Sequence, residues 1–364
     1  MKPVTAPTQL TRLVLKGYKS IQACDLELGA LNVLVGANGA GKSNLIGFFK
    51  LIREMTDGNL QRHVAKAGGP DALLHFGRKV SESLRCELYF GHNGYQATLE
   101  PTLDNRLMFS YEAFWWDVSG PRQIGAGHFE SKCKEGTRTG IDEYVLPAMR
   151  SWSVYHFHDT SDEARVKQPH AINDNDYLRP DARNLAAYLY RLYQTERAHY
   201  DRIVRTIQLA APFFGDFYLR PSPANKEFIE LEWVERGQDF PFKAHVLSDG
   251  TLRFICLATL LLQPEQNRPD SILVDEPELG LHPYAITVLA SLFKSAAKKN
   301  QIIVSTQSVE LVNELDAEDL IVVDRDRGRS TFQRLDASGL QDWLEEYSLG
   351  ELWKKNVIGG RPTR

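Results

Sequence analysis

Apolar and polar positions alternate along this chain in a repeating order. Leu31-Asn32-Val33-Leu34-Val35 is an apolar run that ends at Gly36 and predicts a buried strand. Lys42 to Met55 carries Leu45, Ile46, Phe48, Phe49, Leu51 and Ile52, the broad apolar face of a helix. The order returns near the far end. Ile272 to Val274 is a short apolar strand after the Pro269-Asp270 break, and Gln301 to Ser305 is another. Between them, Tyr284 to Lys299 has helical spacing at Ile286, Leu289, Leu292 and Phe293. Pro283 suits its first turn, and Lys298 and Lys299 favour its negative end. Strand, helix, strand predicts a parallel sheet covered by helices. Ser248 to Leu262 predicts a helix. Its apolar part, Phe254 to Leu262, is the longest such stretch and is far short of the ~20 residues of a membrane span.

The middle reads differently. Leu84 to Leu99 alternates as two strands around a Gly91-His92-Asn93-Gly94 turn, and Leu107 to Val118 is a further strand. Its Trp115-Trp116 pair is read as placing one ring in the core rather than as a base-stacking platform. Asp181 to Ala210 predicts one long helix, capped by Asp181 after Pro180 and stopped by Pro212. It lacks a sustained heptad, which excludes a long coiled-coil arm. Phe228 to Val234 is a strand. Leu320 to Asp324 and Ser330 to Leu335 form a pair around Asp326 to Arg329, and a helix follows near Gln341 to Tyr347. The basic segment Ser131 to Arg138 is read as a solvated loop. No internal repeat or low-complexity linker is present.

Two motifs supply chemistry. Gly36-Ala37-Asn38-Gly39-Ala40-Gly41-Lys42-Ser43 matches the P-loop pattern between a strand and a helix. Glycines there let backbone N–H groups curl around phosphates, and the helix N-terminus adds partial positive charge. Lys42 is expected to reach the β- and γ-phosphates of ATP, and Ser43 to hold Mg²⁺. The second motif ends an apolar strand in Asp275-Glu276. Asp275 is expected to help hold the metal, and Glu276 to act as general base on water. Tyr155-His156-Phe157-His158-Asp159 has the residue types of a metal site but too few ligands at one place, and it is not assigned one.

These residues resemble a family. Asp275-Glu276-Pro277-Glu278, continuing through Gly280-Leu281-His282-Pro283, is similar to the Walker B motif and D-loop of ABC-type ATPases of the RecF, SMC and OLD group. Leu247-Ser248-Asp249-Gly250-Thr251 resembles their signature motif, with Asp249 where glycine is usual. By itself it is also an ordinary helix cap. Leu13 to Ile21, including Lys19, is similar to their opening strand. Ser338 to Gly360 resembles the branch of stand-alone ATPases built from this head alone. The resemblance implies an α/β P-loop NTPase head with a mixed, largely parallel sheet flanked by helices. Residues 1–55 and 246–364 would form the head, and 56–245 an inserted α+β lid or arm. Gly36, Asn38, Gly39, Ala40, Gly41, Lys42, Ser43, Asn44 and Lys19 would bind nucleotide. A head-to-tail homodimer, or a higher oligomer, would cap it with Ser248 and Gly250 of a second copy. The implied activity is ATP hydrolysis driving a switch in DNA maintenance or anti-phage defence. The implied partners are a separately encoded, nuclease-like effector and, further, DNA. Alternatives are an ATP-dependent scaffold with little hydrolysis and an ABC transporter subunit. The family usually places histidine where this chain has Gln307, which implies slow or partner-stimulated turnover because an amide cannot carry a proton.

Charge and composition narrow this little. The 364 residues have 43 Lys and Arg against 47 Asp and Glu, a net charge of −4, so no electrostatic argument for nucleic acid comes from composition. Cys24, Cys86, Cys133 and Cys256 are scattered without C-x-x-C spacing, which fits a reduced, cytoplasmic setting without a membrane partner. Met1 to Thr11 has no signal-peptide core, and no nuclease domain is recognisable after the ATPase motifs, so the chain is expected to cut nothing alone.

Overall fold

Strands near the start of the chain bury alternate side chains, which is why they assemble into a sheet with one covered face. The computed structural model describes residues 9–135 and 140–360. β1 (Arg12–Tyr18) pairs antiparallel with β2 (Ile21–Glu27), and β3 (Leu31–Val35) is buried along its whole length. β4 (Leu84–Phe90), β5 (Asn93–Pro101), β6 (Leu107–Trp116) and β7 (Gly120–Gly125) extend the first sheet in the order β2-β1-β4-β5-β6-β7. Residues 56–245 thus contribute four strands to the sheet that β1 and β2 begin. They also contribute β8 (Ser153–Tyr155) to the sheet that carries β3.

That second sheet has the order β17-β16-β3-β15-β14-β8, with β14 (Ser271–Asp275), β15 (Gln301–Thr306), β16 (Leu320–Asp326) and β17 (Arg329–Arg334). β8, β14, β15, β3 and β16 run parallel, and β17 returns antiparallel at the edge. Both faces are covered, so the strands read as unbroken apolar runs while their side chains still alternate. Leu34, Leu273, Ile303, Ile321 and Val323 enter one core with α1 (Lys42–Thr56) and the first sheet. Val33, Val35, Ile272, Val274, Ile302, Val304 and Val322 enter the other. There they meet helices α4 (Leu185–Thr195), α5 (Arg197–Ala210), α6 (Asp249–Leu262) and α7 (Pro283–Ala297).

α2 (Leu60–Ala67) and α3 (Asp142–Ser151) pack beside α1, and α8 (Val309–Asn313) follows β15. α9 (Gln341–Glu346) and α10 (Leu349–Lys354) close the described chain. Short strands complete it: β9 (His170–Ala171) pairs with β11 (Phe228–Ile229), and β10 (Phe214–Phe217) and β13 (Pro241–Lys243) flank β12 (Glu232–Glu235). Among the described residues no helix is long and apolar enough to cross a membrane.

Four expectations need correction. The long helix over 181–210 is two helices broken at Glu196, whose backbone is at φ −136° and ψ 51°. An unbroken helix would carry the stripe Leu189, Leu192 through Glu196 to Tyr200, so the break keeps a carboxylate out of the core. Asp181 does not cap it; α4 starts after Asn184, whose buried amide is turned back onto the Asp174 and Tyr177 carbonyls. The strand over 228–234 keeps its alternation of Ile229, Leu231 and Trp233. Its pairing partner changes from β9 to β10 and β13, splitting it in two. Neither Trp115 nor Trp116 is in the core. Phe114 is buried instead, Trp115 lies edge-on to Tyr89, and Trp116 is 40% exposed. The basic loop is not simply solvated at its described start. Ser131 Oγ, Lys132 N and Cys133 Sγ all donate to the fully buried carboxylate of Glu112. Gly136 to Arg138 lie outside the described residues.

Candidate nucleotide site

β3 delivers the chain to a loop that only small residues can make. A Cβ on Gly36 would lie 2.2 Å from the Val323 carbonyl oxygen, and one on Gly41 would lie 2.1 Å from Ser330 Oγ. Gly39 and Gly41 sit at φ +78° and +121°, where L side chains are strained. Asn38 is exposed at the loop tip, and buried Ala40 presents its carbonyl to Ser330 Oγ at 2.5 Å. α1 then opens at Lys42. Its first amide N–H groups have no partner within the helix, and they make the loop an anion cradle.

Lys42 is buried. Its Nζ donates to the carbonyls of Gly36 (2.6 Å) and Ala37 (3.0 Å). Burial lowers its pKa, while Glu276, Asp275 and Glu278 pull the other way. Beside it, Ser43 Oγ donates to Asp275 Oδ2 at 3.4 Å across the gap between α1 and the end of β14. The other oxygen, Asp275 Oδ1, is buried with no hydrogen-bond partner. A carboxylate with one oxygen on a serine hydroxyl and the other without a partner supplies the oxygen donors a hard divalent cation takes, so these residues fit magnesium.

Glu276 leaves β14 at φ +44°, a left-handed backbone that is costly for a non-glycine residue. Its N–H is fixed on the Ser305 carbonyl at 2.7 Å, and its Oε1 accepts from Gln307 Nε2 at 3.1 Å. Two of the three residues predicted to be catalytic, Glu276 and Gln307, are therefore in direct contact, with Lys42 as the third. Sequence reading assigned no role to Glu278. Its buried Oε1 accepts from Thr306 Oγ1 (2.5 Å) and Gln307 N (3.2 Å), and its Oε2 has no partner. Burial raises its pKa, and these hydrogen bonds oppose the shift. The third carboxylate in Asp275-Glu276-Pro277-Glu278 was the available signal.

Lys19 lies in the tight turn between β1 and β2, at φ +46°. It does not join the Lys42 group. With Ser20, Asn44, Phe76, Arg78 and Arg325 it lines an adjoining cavity of about 600 Å³. Asn44 Nδ2 donates to Ser20 Oγ at 2.6 Å, so the residue after Ser43 faces this cavity too. Burial, then the nearby Lys50, lowers the Lys19 pKa.

Ser248 caps α6, accepting from Thr251 N at 3.2 Å. With Gly250 it lines a separate small pocket alongside Gly280, Leu281 and His282. A Cβ on Gly250 would meet the Gly280 carbonyl at 2.0 Å, so α6 and the turn after Glu278 are in backbone contact. One turn on, Arg253 donates to the carbonyls of Phe157, His158 and Leu279 at 3.1, 2.9 and 2.7 Å. His158 Nε2 in turn bonds the Asp275 carbonyl at 2.8 Å. His156 lines a different cleft, with Lys50, Arg53 and His63, so the two histidines do not share a ligand position. Arg253 gave no sequence signal beyond its place in the helix.

Comparisons with known proteins agree with this geometry. A sequence-family model described as "AAA domain, putative AbiEii toxin, Type IV TA system" matches residues 31–313. The fold is similar to an SMC head solved with the C-winged helix domain of ScpA, at 18% identity, with 91% of this chain and 99% of that chain covered and a TM-score of 0.62. It is also similar to an SMC head with an extended coiled coil, bound to the C-terminal domain of ScpA from Pyrococcus furiosus. There the identity is 17%, coverage 93% and 98%, and the TM-score 0.60. No curated protein matches. Cradle, carboxylate pair and family match over most of the chain converge: the chain belongs to this AAA-domain family, and its fold is that of an ABC-type P-loop ATPase head like those of the SMC proteins.

Proposed function

We propose that the chain binds ATP in the Gly36–Ser43 cradle, hydrolyses it slowly, and uses the nucleotide state to switch a head-to-tail dimer. The observation that carries this reading is the meeting of two side-chain pairs beside Lys42, Ser43 with Asp275 and Glu276 with Gln307. Lys42, now held by two loop carbonyls, would turn to the β- and γ-phosphates. Glu276 would accept a proton from the attacking water, aimed by the Gln307 amide. Ser43 and Asp275 would hold magnesium, whose charge offsets that of the phosphate oxygens. The cavity lined by Lys19, Asn44 and Phe76 would take the nucleoside, with the half-exposed Phe76 ring as a base platform.

Ser248 and Gly250 lie away from the cradle of their own chain, which supports their use in trans on a second copy. Four free cysteines, all buried, fit a reducing cytoplasm. Related folds have been solved with ScpA domains on the head, which supports a separate protein partner here; the partner proposed is a separately encoded, nuclease-like effector. The biological setting proposed is DNA maintenance or phage defence, with DNA as a further partner. Gln307 favours a second reading, an ATP-dependent scaffold with little hydrolysis. Phosphate release by wild type against Glu276→Gln separates the two. A wild-type rate no higher than that of Glu276→Gln leaves the scaffold. For the dimer, light scattering of Glu276→Gln with Mg-ATP is expected to show twice the monomer mass. A persistent monomer overturns the head-to-tail reading.

A further inference from the structure

The P-loop is braced from outside as well as from inside, and four of its outer braces come from the last strands and the tail. Val323 of β16 presses its carbonyl on Gly36. Arg325 Nη1 donates to the Gly39 carbonyl at 2.9 Å, and Ser330 of β17 donates to that of Ala40. The fourth brace is the least expected. The Ala37 N–H donates to the carbonyl of Gly360 at 2.9 Å, and the Gly360 N–H donates to Asp324 Oδ2 at 3.0 Å. Asp324, near the end of β16, therefore reaches the nucleotide loop through one tail residue.

The tail can do this only because of its sequence. Gly359 and Gly360 both lie at φ +81°. A Cβ on Gly360 would sit 3.2 Å from both Trp353 Nε1 and Val322 Cγ1, and 3.5 Å from the Gly36 Cα. Upstream, α10 is fixed by a capping box between Ser348 and Glu351 and buries Leu352 and Trp353. Gly350 N donates to Asn313 Oδ1 of α8 at 2.7 Å, and a Cβ on Gly350 would meet Val309 at 2.5 Å. α8 begins at Val309, with only its N-cap Ser308 between it and Gln307. The same segment thus grips the helix behind the glutamine that contacts Glu276 and the loop that holds Lys42.

We propose that Asp324 and Gly360 are positioning residues for the P-loop, and that the tail from Ser348 to Gly360 ties the Gln307 end of β15 to the nucleotide cradle. This rests on the reading that the cradle binds ATP. Loss of one charge-assisted hydrogen bond that orders the loop is expected to weaken ATP binding about tenfold. Chemistry at saturating ATP is left alone, because neither residue touches the reacting groups. Asp324→Ala should raise the KM and the Kd for a fluorescent ATP analogue by that factor, with kcat within about twofold. Asp324→Asn keeps an acceptor for the Gly360 N–H and should restore most of the affinity. Gly360→Ala leaves Asp324 in place and strains the tail, and should reproduce the Asp324→Ala phenotype if that variant folds poorly. Unchanged affinity in folded Asp324→Ala and Gly360→Ala overturns the proposal, as does an equal loss of kcat and affinity that Asp324→Asn fails to rescue. Wild-type protein that binds no analogue, in an assay where Lys42→Ala is equally inert, overturns instead the reading of the cradle.

Discussion

At the residue scale, the catalytic corner is a chain of carboxylates and amides with few free donors. Gln307 donates to Glu276 and receives its own placement from Glu278, so in the proposed mechanism its amide would orient the base without being able to take its proton. Gln307→Ala should therefore lower kcat by about 10- to 100-fold while ATP affinity stays within about threefold, read from steady-state phosphate release. Wild type alone should turn over no faster than about once per second; several turnovers per second would contradict the role given to the amide. Glu278 makes a separate prediction. Its carboxyl is raised by burial, so the stabilising protonated form is populated in the folded state above the ordinary carboxylate range and is lost as pH rises through the raised value. Acidification from neutral to mildly acidic pH should then stabilise wild type relative to Glu278→Gln in denaturant melts. A stability difference independent of pH would show that burial does not raise the Glu278 carboxyl.

Elements differ in how much of them the sequence declares. β3, α1, β14, α7 and β15 were legible because each is apolar on every face it buries, and the P-loop and Asp275-Glu276 stand at their ends. The contacts between those ends were legible only as family resemblance, since nothing in the spacing of Glu276 and Gln307 places one against the other. The break at Glu196 was obscured because helical periodicity runs through it. The burial of Phe114 in place of Trp115 was obscured because β6 bulges at Ser110 against β5, resetting the alternation. α10 and its glycines were hidden because they act through backbone groups that side-chain patterns do not report. Backbone contact also decides the fate of α6. With the Gly280 carbonyl 2.0 Å from where its Cβ would be, Gly250→Ala must push α6 away from the turn after Glu278. The expected cost is about 1–3 kcal/mol, seen as a lower Tm, because rigid backbone lies on both sides. An unchanged Tm would mean that the turn gives way freely.

Across the whole molecule, the central sheet separates two cores. α1 and the cradle belong to one, and α6 with its Ser248 cap belongs to the other. A nucleotide signal that passes from cradle to signature must cross that sheet or go around its end. Arg253 spans the end. Its one guanidinium holds the carbonyls of Phe157, His158 and Leu279, and His158 holds the Asp275 carbonyl, so α6, the loop after β8, Asp275 and the turn after Glu278 are joined by one run of hydrogen bonds. Arg253→Ala should leave analogue binding to the cradle within about threefold, since no contact to the P-loop is lost. It should abolish ATP-dependent dimerisation of the Glu276→Gln protein. Arg253→Lys should fail as well, because a single ammonium cannot span three divergent carbonyls as a planar fork of donors does. Light scattering with and without Mg-ATP, run beside analogue binding on the same samples, decides the matter. Retained dimerisation in Arg253→Lys would place the coupling in the sheet itself, and weakened binding in Arg253→Ala would show that the two cores are not independent.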